Sequence, residues 1–313
     1  MFSPIFRDAV IFASLISLMS LGLTLIYITT KVSNFAHGSL VSIGIYLALT
    51  TSSVWASNPY YCLPLAFGFG GLASLILYIL ILRPLSRKGA SSVSLIAATL
   101  AFDLILLASL NIYADYLTSV YKISSRAFIL RGVDFKVVDQ PGIFLVAPTL
   151  VFTIISSLYI VLTRTKFGIA MRAVVENPQL ASVMGVNTNL ILATSWFLSG
   201  GLAAMAGVLL PLWFMVSPDT GTSMMLSVFA ASIVGGFSNI YGAALGGYLV
   251  GLTEILLTNF LAQNVGSWMI PYRPAIPLLA IVATLLIAPT GIAGIDWLSK
   301  IRRMRVRLFG PAS

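Results

Sequence analysis

Two acidic residues, Asp103 and Glu254, stand inside long apolar stretches of this chain, and its only histidine, His37, follows Asn34 in a short polar break. A charge at mid-bilayer costs about 2.5 to 3.5 kcal/mol on insertion scales, so an acid placed there needs a polar partner, a water-filled cavity or a proton. For Asp103, with Thr99 and Asn111 nearby, and for Glu254, beside Thr253 and Thr258, two roles stay open: a structural hydrogen bond or the lining of a polar path. Asn34 and His37 divide the same way, between satisfaction within their own loop and a place along a pathway or its inner gate.

Other chemistries lack their residues. A single histidine and a single cysteine, Cys62, exclude an internal disulfide and argue against a His/Cys zinc site, so no metal site is expected and Cys62 reads as a small core residue. No G-x-x-x-x-G-K-[ST] loop occurs, and the chain has no Gly-Lys dipeptide, so it does not cradle ATP phosphates in that manner. H-E-x-x-H and G-x-S-x-G are also missing. An ion-coupled carrier usually needs more intramembrane ionisable groups than these two acids.

The elements that must position these residues are membrane spans. Of 313 residues, 58% are hydrophobic and 9% charged, against about 25% charged in an ordinary soluble domain. A bilayer core of about 30 Å takes roughly 20 apolar residues per helix. Glycine, proline and charge mark spans near residues 9–30, 36–55, 62–82, 92–111, 142–163, 189–213, 222–238, 240–262 and 274–289. The pattern predicts an all-α, polytopic bundle of 8–10 spans in a single transmembrane domain over 1–313. Residues 222–240 are candidates for a broken or re-entrant segment, because only Gly235-Gly236-Phe237-Ser238-Asn239 separates the two spans there. The run from Ala9 to Thr30 is too long for a signal-peptide core and is kept as the first span.

Basic residues cluster at Arg83, Arg87 and Lys88, at Arg164, Lys166 and Arg172, and in the tail 298–313. With nine spans all three clusters share one side, the cytoplasmic side by the positive-inside rule, and the N-terminus lies outside. The loop 112–141 is the misfit, an external segment holding Lys122, Arg126, Arg131 and Lys136. The tail reads as a topology anchor that meets anionic lipid, or as a docking site. The net charge of +9 does not suggest nucleic acid, since the loops are too short to form a groove. Gly242 to Gly246 and Gly247 to Gly251 are G-x-x-x-G pairs, a sign of close helix packing.

One polar segment, 164–188, does not span. Gly168 to Glu176 predicts a short helix, Asn177-Pro178 a second helix start and Gly185 its stop. A stiff helix pair projecting from a membrane bundle is a docking candidate, because a flexible loop would absorb a partner's motion instead of transmitting it.

In Asn34-Phe35-Ala36-His37-Gly38, preceded by Leu23-Thr24-Leu25-Ile26-Tyr27, the chain resembles the ABC permeases for branched-chain amino acids. So it does in Gly168, Ala170, Arg172, Ala173, Glu176, Asn177, Pro178, Ala181 and Gly185, in Val216-Ser217-Pro218-Asp219, in the glycines from Gly235 to Gly251 and in Ala288-Pro289-Thr290-Gly291-Ile292. Order and spacing agree over roughly 20–295, with departures at Ser227-Val228 and Ser238. The resemblance implies an importer permease fold in the cell (plasma or inner) membrane, and a docking role for Gly168, Arg172, Ala173, Glu176, Asn177, Pro178, Ala181 and Gly185. It also implies a second related permease, two cytoplasmic ATPases carrying ATP and Mg, and an extracytoplasmic substrate-binding protein. No cofactor is then expected on this chain. The substrate expected is a branched-chain or other hydrophobic amino acid, with urea, a short amide or another small polar solute as the rival. An intramembrane enzyme or signalling protein using His37, Asp103 and Glu254 is the alternative of another class.

Overall fold

The computed structural model describes residues 3–137 and 139–294, so the basic tail 298–313 lies outside the described residues. Helix α1, Pro4–Thr30, starts on a Ser3 cap with proline in its first turn, and its faces are buried nearly all round. A helix apolar on every side has to sit at the centre of a bundle. The others are α2 (His37–Ser53), α3 (Leu63–Ile76), α4 (Arg83–Arg87), α5 (Ser92–Tyr121), α6 (Ile143–Arg164), α7 (Lys166–Glu176), α8 (Pro178–Val183), α9 (Thr188–Leu209), α10 (Thr220–Ser223), α11 (Met225–Gly235), α12 (Ile240–Asn264) and α13 (Ala275–Ile287). A π-helical stretch, Leu77–Leu82, joins α3 to α4.

Seven of the described helices are long and apolar enough to cross a membrane. Two further passages are made differently, each by a return segment followed by a shorter helix: residues 31–53 and residues 213–235. Seven of the nine expected spans are thus long apolar helices among the described residues, and the segments at the other two are interrupted. The break before α2 is deep. Its first residue, His37, bonds the carbonyl of Met19, eleven residues before α1 ends at Thr30, which is roughly 16 Å up the helix at about 1.5 Å per residue. The chain thus leaves α1, turns back along it without regular secondary structure and begins α2 inside the bundle. Irregular backbone at this depth is tolerated only where protein buries it, and Asn34 and Ala36 are fully buried.

The two broken passages meet. A Cβ on Gly38 would collide with the backbone of Gly221 and Thr222, and the Gly221 N–H donates to Ser42 Oγ at 3.3 Å. The supporting pairs are crosswise: α1 packs along α12, and α9 packs along α3. Glycine makes these approaches possible. Gly247 and Gly251 lie against the α1 backbone at Ser17 and Ala13, while Gly242 and Gly246 face α11. Ser17 and Ser20 then donate to the carbonyls of Ala244 and Ala243 at 3.0 and 2.9 Å. Both G-x-x-x-G pairs are thus packing surfaces, on opposite sides of α12. Helices α5, α6 and α13 stand at the periphery, with most of their side chains unburied.

The misfit loop closes one end of the bundle. Phe128 pairs with Val216 as an antiparallel bridge, the Leu130 N–H donates to the Pro211 carbonyl at 2.7 Å, and Tyr46 donates to the Ser125 carbonyl at 2.8 Å. Strands β1, Lys136–Val137, and β2, Gln140–Pro141, form a short hairpin within it. Arg126 is held by Asp115 and Asn111, so one of the four cations there is already paired. At the other end of the bundle, Arg83 and Arg87 share a cavity with Pro178 of α8 and Asn189 of α9.

Candidate functional site

Three of the four pathway candidates gather around the buried start of α2. The Ser39 hydroxyl donates to Asp103 Oδ1 at 2.6 Å and the Ser39 N–H donates to the same oxygen at 3.3 Å. Asp103, on α5, therefore does for α2 what a capping residue of its own chain segment ordinarily does. It accepts from an N-terminal amide that the helix itself leaves without a partner. The partners expected from sequence were Thr99 and Asn111, and both are engaged elsewhere. Thr99 accepts from the Phe35 N–H at 3.2 Å, and Asn111 holds Arg126. Residues four and eight apart share a helix face but do not have to share a partner.

Asn34 folds the return segment by accepting from the Ala36 N–H at 3.1 Å. His37 is fully buried, with Nε2 3.0 Å from the Met19 carbonyl. A carbonyl only accepts, so Nε2 carries the proton. His37 Nδ1, Asn34 Nδ2, Ser199 Oγ and Thr222 Oγ1 are buried with no protein partner among the described residues. These four come from α2, its return segment, α9 and α10, the elements that converge on the break.

Glu254 stands apart from that group. Its Oε1 accepts from Arg273 Nε at 2.7 Å and its Oε2 from Ser227 Oγ at 2.8 Å, so both oxygens are engaged in a site where the acid is only 4% exposed. The Arg273 guanidinium lies over the Phe12 ring, 4.3 Å from its centroid, a favourable cation–π position. Together they line a cavity of about 220 Å³ with Thr220, Ser223 and Met224, at the end opposite α7 and α8. Arg273 was not among the residues singled out from sequence. It precedes α13 in a short connection, and nothing local ties it to an acid nineteen residues earlier.

The third group is the projecting helix pair. The Thr165 side chain accepts from the Gly168 N–H, and the Asn177 side chain accepts from the Gln179 and Leu180 N–H groups at 3.0 Å each. Gly185 ends α8 with φ +84, a left-handed turn that favours glycine. Arg172 donates from Nη1 to the Leu162 carbonyl, tying α7 back to α6. Of the expected docking residues, Arg172, Glu176, Pro178 and Gly185 are exposed, Ala173 and Asn177 are half-buried, and Gly168 and Ala181 are buried. Those last two lie inside the pair, where they shape it. A Cβ on Gly168 would strike the Leu162 backbone. Sequence reasoning missed the exposed apolar tip, Leu180, Val183 and Met184, at 64%, 83% and 83% exposure.

Comparisons with known proteins place the chain in a family. The family model described as branched-chain amino acid transport system, permease component, matches residues 5–288. A relative from Methanocaldococcus jannaschii, named as a probable branched-chain amino acid transport permease protein LivH, is 44% identical over 96% of this chain and 95% of its own length. The Escherichia coli high-affinity branched-chain amino acid transport system permease protein LivH is 27% identical over 94% and 96%. A shorter match, 31% identical over 39% of this chain and 36% of the relative, is to the autoinducer 2 import system permease protein LsrC of Yersinia enterocolitica. No solved structure matches the chain.

Proposed function

The chain belongs to the permease family of branched-chain amino acid transport systems, and on that footing we propose that it is the membrane path of an ATP-driven importer for branched-chain amino acids. The observation that carries this reading is 44% identity, over nearly the full length of both chains, to a relative named for that transport. ATP and Mg then belong to two cytoplasmic ATPase subunits. A second related permease completes the path, and an extracytoplasmic binding protein delivers the substrate. The chain sits in the cell membrane with its N-terminus outside, so α7 and α8 face the cytoplasm and receive the work of the ATPases.

Within this scheme the Arg273, Glu254 and Ser227 cluster lies at the outward mouth, where its cavity offers a substrate both a cation and hydroxyls against apolar walls. Asn34, His37 and Asp103 hold the start of α2, so their part in transport is to set how the two broken passages meet. A short helix whose first turn is pinned to α1 and α5 moves with them as one body, and force reaching the helix pair passes through α6 and α9 into that contact.

The test is uptake of labelled leucine by proteoliposomes holding the chain with its partner permease, ATPases and binding protein. ATP-dependent accumulation that unlabelled leucine, but not urea, competes away supports the reading. Competition by urea instead would assign a small polar solute, the alternative kept open by the partial likeness to a permease named for autoinducer 2 import.

A further inference from the structure

A second cavity, of about 290 Å³, opens where the span Pro59–Arg87 ends, between the end of α1, the π-helical stretch, α4, the start of α5 and the first residues of α8 and α9. Arg83 and Arg87 line it, and Lys88 flanks an adjoining hollow that shares both arginines. None of the three forms an ion pair with an acid among the described residues. The sequence explains why: between Asp8 and Asp103 there is no Asp or Glu at all. Like charges crowded together without a counter-charge repel, so an anion from elsewhere would stabilise them.

A further observation points to a ligand rather than to exposed, hydrated cations. Arg83 Nε and Trp196 Nε1 are both buried without a partner among the described residues, and Trp196 is only 1% exposed. A buried N–H left unmade costs the full desolvation of the group, so orphans at one cavity call for an acceptor. Leu82, Leu95 and Leu192 give the cavity apolar walls, with Tyr78 stacked on Trp196, while Thr29, Thr30, Ser86 and Asn189 line it with polar groups. One turn away, Ile79 and Leu80 are exposed on the outer face of the bundle. The cations thus stand where an apolar span gives way to water, the depth of lipid headgroups.

We propose that this cavity binds the phosphate of an anionic phospholipid, with Arg83, Arg87 and the Trp196 indole N–H as donors and the acyl chains lying along the π-helical stretch. The site adjoins Pro178, so an occupied headgroup would brace the root of the helix pair.

Native mass spectrometry of the full-length chain, delipidated and titrated with phosphatidylglycerol or phosphatidylcholine, tests this directly. The expected result is a saturable phosphatidylglycerol adduct, at least about tenfold tighter than phosphatidylcholine. It should be lost by about tenfold or more in R83Q/R87Q, kept in R164Q/K166Q, which removes as much charge from the same end, and undisturbed by millimolar inorganic phosphate. W196F, which keeps the ring and deletes only the donor, should weaken it several-fold whether or not the double arginine variant folds. Equal binding of both lipids, an unchanged affinity in W196F, equal losses in both double variants, or displacement by inorganic phosphate would each overturn the assignment, the last in favour of a soluble anion.

Discussion

Asp103 is the residue whose role the geometry narrows most. An amide keeps the Oδ1 acceptor that Ser39 uses. Asp103→Asn is therefore expected to lower stability by about 1 kcal/mol and leave leucine uptake intact, whereas Asp103→Leu strands the Ser39 donors and costs about 2 to 3 kcal/mol. Thermal unfolding beside an uptake assay checks both; folded Asp103→Asn protein that does not transport would move this carboxylate into the pathway. For Arg273 the expectation is a coupling. Arg273→Ala leaves Glu254 buried and unpaired, a loss of about 3 kcal/mol, and Glu254→Gln in the same chain should restore part of it. A double-mutant cycle on melting temperature decides, and strictly additive losses would mean the pair does not act as a unit.

At the scale of elements, what holds the broken passages in place is close backbone approach. Gly247→Leu pushes a side chain into the α1 backbone at Ser17, so it is expected to destabilise the chain by about 1 to 3 kcal/mol or prevent assembly. The same change at Gly68, where a Cβ meets nothing, should be tolerated; equal melting temperatures for the two would contradict the packing scheme. The helix pair supplies a sharper functional contrast. Arg172→Glu reverses a charge near the proposed dock but also breaks the tie to Leu162, so loss of ATPase binding there has two causes. Val183→Asp changes only the exposed tip. It should leave the chain folded and abolish co-purification of the ATPase subunits, and unchanged co-purification would remove the tip from the docking surface.

At the scale of the whole molecule, the seven long apolar helices were legible in the sequence because hydropathy and punctuation act locally. The helix pair was legible too, since Asn177-Pro178 and Gly185 are cap and stop signals that work within one turn. The re-entrant candidate at 222–240 proved half the story. Its passage is broken at its other end, before Thr220, and the passage through 31–53 is broken as well. Neither break could be read from apolar runs, because a return segment such as Val32 to Ala36 looks like an ordinary loop until the bundle buries it. Long-range partners were equally hidden: Asp103 with Ser39 and Glu254 with Arg273 join elements that only the fold brings together.

The account rests on the helix pair facing the compartment where ATP is hydrolysed. The lone cysteine, Cys62, is buried, so Cys62→Ala gives a background in which Val183→Cys is the single accessible thiol. A membrane-impermeant maleimide should leave this variant unlabelled in intact cells, label it fully in inside-out vesicles, and be blocked once the ATPase subunits are bound. Labelling in intact cells would put the helix pair on the outer face and contradict the account.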